Sequence, residues 1–143
     1  MIMKQARKMG ISAIFLGGDS WSGLPANYHS DEIFGSYFSD HWHPDLAHPP
    51  SRSFVERYTT RQGTIENSGV PLGYDAVMVL ADAIHRSGST APESIRDALA
   101  ETNGFQCVTG DITMNPNGDP VKQAVVVRID ENGISFVKTI RPE

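Results

Sequence analysis

The sequence contains a single cysteine, and this scarcity excludes several classes of structure. Cys107 has no second cysteine to pair with, so neither an internal disulfide nor a cysteine-based metal site can form within the chain. Long apolar runs are lacking too. The uninterrupted apolar run at 124–127 is far shorter than the roughly 18 residues of a membrane span. Lysine and arginine number 12 against 17 acidic residues, which gives a net charge of -5 and no basic stripe. We therefore expect no nucleic-acid partner.

Motifs for catalysis and cofactor binding are also missing. Neither of the glycine-rich phosphate fingerprints GxGxxG and GxxxxGKS/T occurs, nor does the GxSxG motif of serine hydrolases. No paired carboxylates suggest acid–base work. Cys107 stands before an apolar stretch, which favours a small buried side chain over a reactive thiolate. The sequence predicts a protein that is not an enzyme and takes no cofactor.

What is present is an ordinary globular composition, 39% hydrophobic and 20% charged over 143 residues. Residues 1–9 have helix composition, and 11–16 form a short, nearly continuous apolar run that is typical of a buried parallel strand. No strand precedes this one to pair with it. A second short strand is predicted at 33–39. The pattern predicts an α/β fold that starts in the middle of an alternation of helices and strands.

The rest of the chain is predicted to hold three helices and then strands. Because prolines cannot enter a helix interior, residues 40–50, which end in Pro49-Pro50, are interpreted as a connector and a lobe boundary. The helices are expected at 52–62 with Ser51 as N-cap, at 72–86, and after a capping box formed by Thr90 and Glu93. The inward face of the second helix is predicted to hold Gly73, Val77, Leu80, Ala81 and Ile84. Strands are expected at 109–114, 124–129 and 134–140, with positive-φ Asn-Gly turns at 117–118 and 132–133.

Asp19 is the strongest candidate for a ligand contact. It follows Gly17-Gly18 just beyond the carboxyl end of the first predicted strand, where open α/β sheets bind their ligands. Its carboxylate and the nearby Trp21 suit a ligand that carries an ammonium group and an apolar part. The same residues also suit a plain turn in which Asp19 accepts backbone N–H groups. The residues alone leave both interpretations open.

A histidine cluster is the second candidate. His41, His43 and His48, with Asp40 and Asp45, offer nitrogen and oxygen ligands of the kind that zinc or copper takes. The segment is broken by prolines, however, and no metal-binding spacing stands out. A solvated connector without a metal is the favoured interpretation.

Several segments resemble, in order, the periplasmic branched-chain amino-acid binding proteins, the type I Leu/Ile/Val substrate-binding proteins of ABC transporters. The matching segments are FLGGDSW at 15–21, FVERY at 54–58, GYDAVMVLADAI at 73–84, the residues from 88 to 99, and VTGDITM at 108–114 followed by NGDP at 117–120. The resemblance covers nearly the whole chain but only the last part of a family member. It implies an incomplete two-lobe fold, with parallel-sheet pieces of both lobes and a C-terminal β-hairpin.

The resemblance also implies a division of the chain and a site. Residues 1–39 would belong to lobe 2, 40–50 to a hinge, 51–122 to lobe 1, and 123–143 to a hinge and a strand returning to lobe 2. Asp19 would bind the α-ammonium group of an amino acid or related amide, with Gly18, Ser20 and Trp21 beside it. The partner implied is the membrane permease of an ABC transporter.

The location and the activity of the chain itself have alternatives. The family implies the periplasm, but residues 1–10 are interrupted by charges and do not form a signal peptide, so the chain as written is expected in the cytoplasm. One alternative function is a ligand-sensing domain of a receptor or regulator with the same fold. Another is a chain without ligand activity of its own that self-associates.

Overall fold

The computed structural model describes residues 2–24 and 31–142, which fall into two compact units. One unit comprises Met1–His43 with Ala124–Ile140, and the other comprises Pro44–Gln123 with Arg141–Glu143. In chain order the elements are α1 (Ile2–Lys8), β1 (Leu16–Gly17), β2 (Tyr37–Asp40), α2 (Pro49–Gln62), α3 (Gly69–Ser87), α4 (Pro92–Ala100), β3 (Phe105–Cys107), β4 (Gly110–Met114), β5 (Pro120–Val121), β6 (Ala124–Asp130) and β7 (Gly133–Ile140). Short 3₁₀ helices span Asp19–Gly23 and Asp31–Ile33. None of the described helices is long and apolar enough to cross a membrane.

The first unit is built on a four-stranded mixed sheet in the order β1-β2-β6-β7. Strand β1 runs parallel to β2, whereas β2, β6 and β7 pair antiparallel. Alternate residues of β6 (Val125, Val127 and Ile129) are almost fully buried, since one face of the strand packs into the core and the other does not. The α/β class predicted from the sequence is confirmed.

Strand β1 differs from its prediction in length and burial. The sequence suggested a buried strand at 11–16, but the paired residues are Leu16 and Gly17, and the Leu16 side chain is 77% exposed. The parallel partner follows β1 in the chain instead of preceding it. The second predicted strand begins at Tyr37, because the chain first makes a 3₁₀ turn and a positive-φ bend at Gly35.

The second unit packs three helices with a small sheet in the order β3-β4-β5. Its strands pair antiparallel, which differs from the parallel pieces expected in both lobes. Helix α2 begins at Pro49, not after Ser51, with His48 as N-cap. The interpretation of Pro49-Pro50 as pure connector was therefore wrong: the first helical turn tolerates proline because its N–H groups have no intrahelical acceptor.

Helix α3 buries a different face from the predicted one. The expected inward residues include Val77 and Leu80, which are 65% and 44% exposed. The buried positions are instead Pro71, Asp75, Val79 and Ala83, spaced four residues apart. The 3.6-residue period was correct, but the apolar stripe does not identify which side of the helix the other elements cover.

Local chemistry at three turns also differs from the prediction. Helix α4 starts at Pro92 with Ala91 as N-cap, so Thr90 and Glu93 do not form the expected capping box. Both Asn-Gly turns form, and β6 and β7 make the predicted hairpin, but only the glycines have positive φ: no described residue other than glycine does. In each turn the glycine is therefore the fourth residue, after the two central positions, and does not share those positions with asparagine.

Candidate functional site

The turn after β1 meets the residue after β2 at one edge of the first sheet. Because β1 and β2 are parallel, their carboxyl ends lie on the same side of the sheet. Asp19 stands two residues beyond β1 and His41 one residue beyond β2. The His41 Nε2 atom lies 3.1 Å from the Asp19 Oδ2 atom. Parallel pairing thus brings together two side chains that are 22 residues apart in sequence.

Each oxygen of the Asp19 carboxylate makes one hydrogen-bond contact, and the rest of the group faces solvent. Its Oδ1 atom accepts the backbone N–H of Ser20 at 2.8 Å, and its Oδ2 atom faces the His41 ring. An ionised carboxylate has about four acceptor positions, so two remain free of these contacts. The side chain is 61% exposed, which leaves it accessible to a cation from solution. A local turn contact and a ligand contact are therefore compatible at this residue.

Trp21 packs on Gly17 in the same turn as this carboxylate. A Cβ atom placed on Gly17 would lie 2.2–2.5 Å from the Trp21 ring, so the indole lies directly over the glycine backbone. The backbone N–H of Trp21 donates to the Gly18 carbonyl oxygen at 3.0 Å. At Gly18 itself a Cβ would meet nothing within 4 Å, so packing does not require glycine there. The close approach explains why Gly17, not Gly18, must lack a side chain.

The predicted site residues Gly18, Asp19, Ser20 and Trp21 thus occupy one turn at the carboxyl edge of the parallel strand pair. The contact of His41 with Asp19 was not predicted from the sequence, where His41 was a candidate only for a metal ligand. Its place directly after the neighbouring parallel strand was the signal that could have linked it to Asp19.

The histidines of the candidate cluster make separate contacts. His43 Nε2 lies 3.2 Å from the Ile134 carbonyl oxygen, and the His43 ring packs against Phe136. His48 Nε2 lies 2.8 Å from the Cys107 carbonyl oxygen. Over residues 2–24 and 31–142, no three His, Cys, Asp or Glu side chains are grouped so as to hold a metal ion.

Two buried groups of the second unit are structural. Asp75 is 2% exposed and accepts the backbone N–H groups of Val108 and Thr109 at 2.7 and 2.9 Å, so it ties helix α3 to the turn between β3 and β4. Burial, assisted by the charges of Asp75 and Asp111, raises the pKa of the Cys107 thiol to about 12. Cys107 is therefore a buried apolar group, as predicted.

Comparison with known proteins gives one consistent answer. A family model described as "Periplasmic binding protein" matches residues 1–134. The chain is 26% identical over 134 residues to Leu/Ile/Val-binding protein homolog 1 of Brucella suis biovar 1, covering 93% of this chain and 36% of that protein.

Solved structures agree with this match. A leucine-binding protein, LivK, from Thermotoga maritima superposes with a TM-score of 0.89 at 35% identity, over 99% of this chain and 41% of that one. A branched-chain amino-acid transporter substrate-binding protein, LivJ, from Streptococcus pneumoniae, solved with isoleucine, has the same fold (TM-score 0.83, 24% identity, 99% and 41% coverage). This chain therefore spans well under half the length of these relatives.

Proposed function

Because the chain belongs to the periplasmic binding protein family, we propose that it carries the ammonium-binding part of a substrate-binding protein for ABC-transporter uptake. The family consists of binding proteins and not of enzymes, and its members work in the periplasm. The proposed ligand is a branched-chain amino acid or a related amide, and the proposed partner is a membrane permease. The names of the relatives, which include Leu/Ile/Val binding and leucine binding, support this ligand class.

The observation that carries the proposal is the exposed Asp19 carboxylate in the same turn as Trp21. An amino acid offers an ammonium group, which binds a carboxylate through charge-assisted hydrogen bonds. A branched aliphatic side chain offers an apolar surface, which the indole of Trp21 can cover. Gly18 and Ser20 flank the carboxylate and contribute backbone to the same turn.

The proposed division into lobes rests on the family resemblance. Residues 1–39 are assigned to lobe 2, 40–50 to a hinge, 51–122 to lobe 1, and 123–143 to a second hinge and a strand that returns to lobe 2. Since the chain spans 36% of the Brucella protein, the remaining ligand contacts are proposed to come from outside this chain. The affinity of the chain by itself is therefore expected in the millimolar range, about 4 kcal/mol.

The test is an NMR titration of the chain with leucine up to tens of millimolar. We expect the amide signals of Asp19 and Ser20 to shift with leucine and with leucine amide, both of which keep the ammonium group. N-acetylleucine lacks that group and should leave the signals in place. Asp19→Asn should weaken leucine binding roughly tenfold or more, because it removes the charge from the hydrogen bond. Equal shifts with leucine and N-acetylleucine, or no shift with either, would count against the proposal.

A further inference from the structure

In the hydrogen bond between His41 and Asp19, the imidazole is the donor and the carboxylate is the acceptor. An ionised carboxylate only accepts hydrogen bonds, so the proton of this contact sits on His41 Nε2, 3.1 Å from Asp19 Oδ2. A neutral imidazole can make this bond with Nδ1 unprotonated, and an imidazolium can make it as well. The bond therefore persists in both protonation states, while the charge beside Asp19 changes.

His41 is itself held in place at the end of β2. Its backbone N–H donates to the Oδ1 atom of Asp40 at 2.6 Å, and Asp40 is 7% exposed. The imidazole keeps 45% of its surface exposed, so protons reach it freely. A buried anchor on the backbone and an accessible ring suit a side chain that restrains Asp19, which is otherwise more than half exposed.

Three elements next to His41 carry charged groups. Asp19 faces the imidazole ring from the turn after β1, whereas Asp40, on the strand that leads to His41, accepts the backbone N–H of His41. On β6, the strand beside β2, Arg128 is paired with Tyr37 at the opposite end of β2. With the imidazole neutral, the Asp19 end of the site keeps the full negative charge of its carboxylate. With the imidazole protonated, that charge is already paired before any ligand arrives.

We propose that His41 is a positioning residue for Asp19 that makes the capture of a cationic ligand group dependent on pH. The inference rests on the proposed function, since it concerns the ammonium group that Asp19 would bind. At neutral and higher pH, the uncharged His41 ring orients the Asp19 carboxylate by a hydrogen bond, and the negative charge of Asp19 stays available to the ligand's ammonium group. At acid pH the imidazolium competes with the ligand's ammonium group, and leucine is released. Histidine is the side chain that changes charge between about pH 5 and 8.

The first measurement needs no ligand. The carboxyl carbon signal of Asp19 is followed by NMR from pH 8 to pH 5. We expect a step through the histidine range in the natural chain, because the neighbouring ring gains a charge, and no such step in His41→Gln. His85→Gln is the matched control, since His85 is an exposed histidine on α3, and it should keep the step. A natural chain without the step, or a step that survives in His41→Gln, overturns the proposal whatever the ligand does.

The second measurement is leucine affinity at pH 8 and pH 5.5. For the natural chain we expect affinity to fall about fivefold at the lower pH, the size expected for one added charge several ångströms from the ammonium group. His41→Gln keeps a hydrogen-bond donor without a charge, so it should match the natural chain at pH 8 and lose nothing at pH 5.5. His41→Ala should be about threefold weaker at pH 8, because Asp19 loses its restraint.

The outcomes separate the two proposals. Leucine binding that is equally strong at both pH values, or equally pH-dependent in His41→Gln, overturns the role of His41 and leaves the proposed function standing. No leucine binding at any pH, together with a normal Asp19 step, overturns the proposed function and with it the capture role assigned to His41. Binding that follows the expected pattern supports both.

Discussion

At the scale of single residues, the contacts that define the structure and the candidate site join side chains to residues far away in the sequence. Asp75 lies 33 and 34 residues before the two N–H groups that it accepts. Asp19 and His41 make a comparable contact at the candidate site. The two acidic residues differ in their environment: Asp75 is buried and structural, whereas Asp19 is open to solvent.

Replacing Asp75 tests its structural role. Asp75→Ala removes the acceptor of two buried backbone N–H groups, each of which costs about 1–3 kcal/mol when unsatisfied. We expect the free energy of unfolding to fall by roughly 2–5 kcal/mol, measured by urea denaturation followed by circular dichroism. The matched control is Asp82→Asn, which removes an exposed ion pair with Arg86 on the same helix and should cost at most about 0.5 kcal/mol. Similar losses for both variants would contradict the assigned role of Asp75.

At the scale of elements, the β6–β7 hairpin shows how local sequence and local chemistry cooperate. The turn residues Glu131 and Asn132 are followed by Gly133, which pairs with Asp130 and has φ of 117°. Hydrogen bonds from the Ser135 hydroxyl and the Asn132 N–H lower the pKa of the Asp130 carboxyl below its ordinary value of 3.8. This group therefore stabilises the hairpin when it is ionised.

The contribution of Asp130 to the stability of the hairpin depends on pH. Since the folded pKa of Asp130 is depressed, its stabilisation is fully present above the unfolded pKa near 3.8 and is lost as the pH falls through the lower folded pKa. Ser135→Ala should move the Asp130 pKa back toward its ordinary value, as measured from the carboxyl carbon signal by NMR. Ser53→Ala, in an exposed position of α2, serves as control. An unchanged Asp130 pKa in Ser135→Ala would show that the hydroxyl does not cause the shift.

In helix α3 the apolar periodicity of the sequence predicted the helix but not the face that is buried. Its period and its end at Gly88, with φ of 60°, were accessible from sequence, whereas its start at Gly69 lies three residues before the predicted one. Its buried face was not, because an amphipathic stripe is buried only where another element covers it. Val77 and Leu80 are uncovered in the described structure, whereas Asp75 and Val79 are covered.

At the scale of the whole molecule, the main fact is the proportion of the family fold that this chain represents. The fit to the Thermotoga leucine-binding protein covers 99% of this chain but 41% of that one. The candidate site has a carboxylate, an indole and a histidine on one turn and one strand end. We propose that a site of this size holds the ammonium group of an amino acid and a part of its side chain.

Calorimetry tests this consequence. We expect isothermal titration with leucine, valine or a short amide to give no binding in the micromolar range, because a few contacts on one surface provide little more than the cost of immobilising the ligand. A dissociation constant of micromolar or tighter would show that this chain holds a complete site. The millimolar NMR titration described above distinguishes weak binding from none.

The sequence by itself determined the α/β class, the approximate positions of most helices and strands, the family, and the place of Asp19 beyond the first strand. These features depend on local composition, periodicity and short motifs, which neighbouring residues specify. Only the tertiary structure decided that His41 meets Asp19, that Trp21 lies over Gly17, that Asp75 ties a helix to a turn, and which face of α3 is buried. The physical reason is that such contacts depend on how strands pair and which elements pack together, and they mostly join residues far apart in sequence.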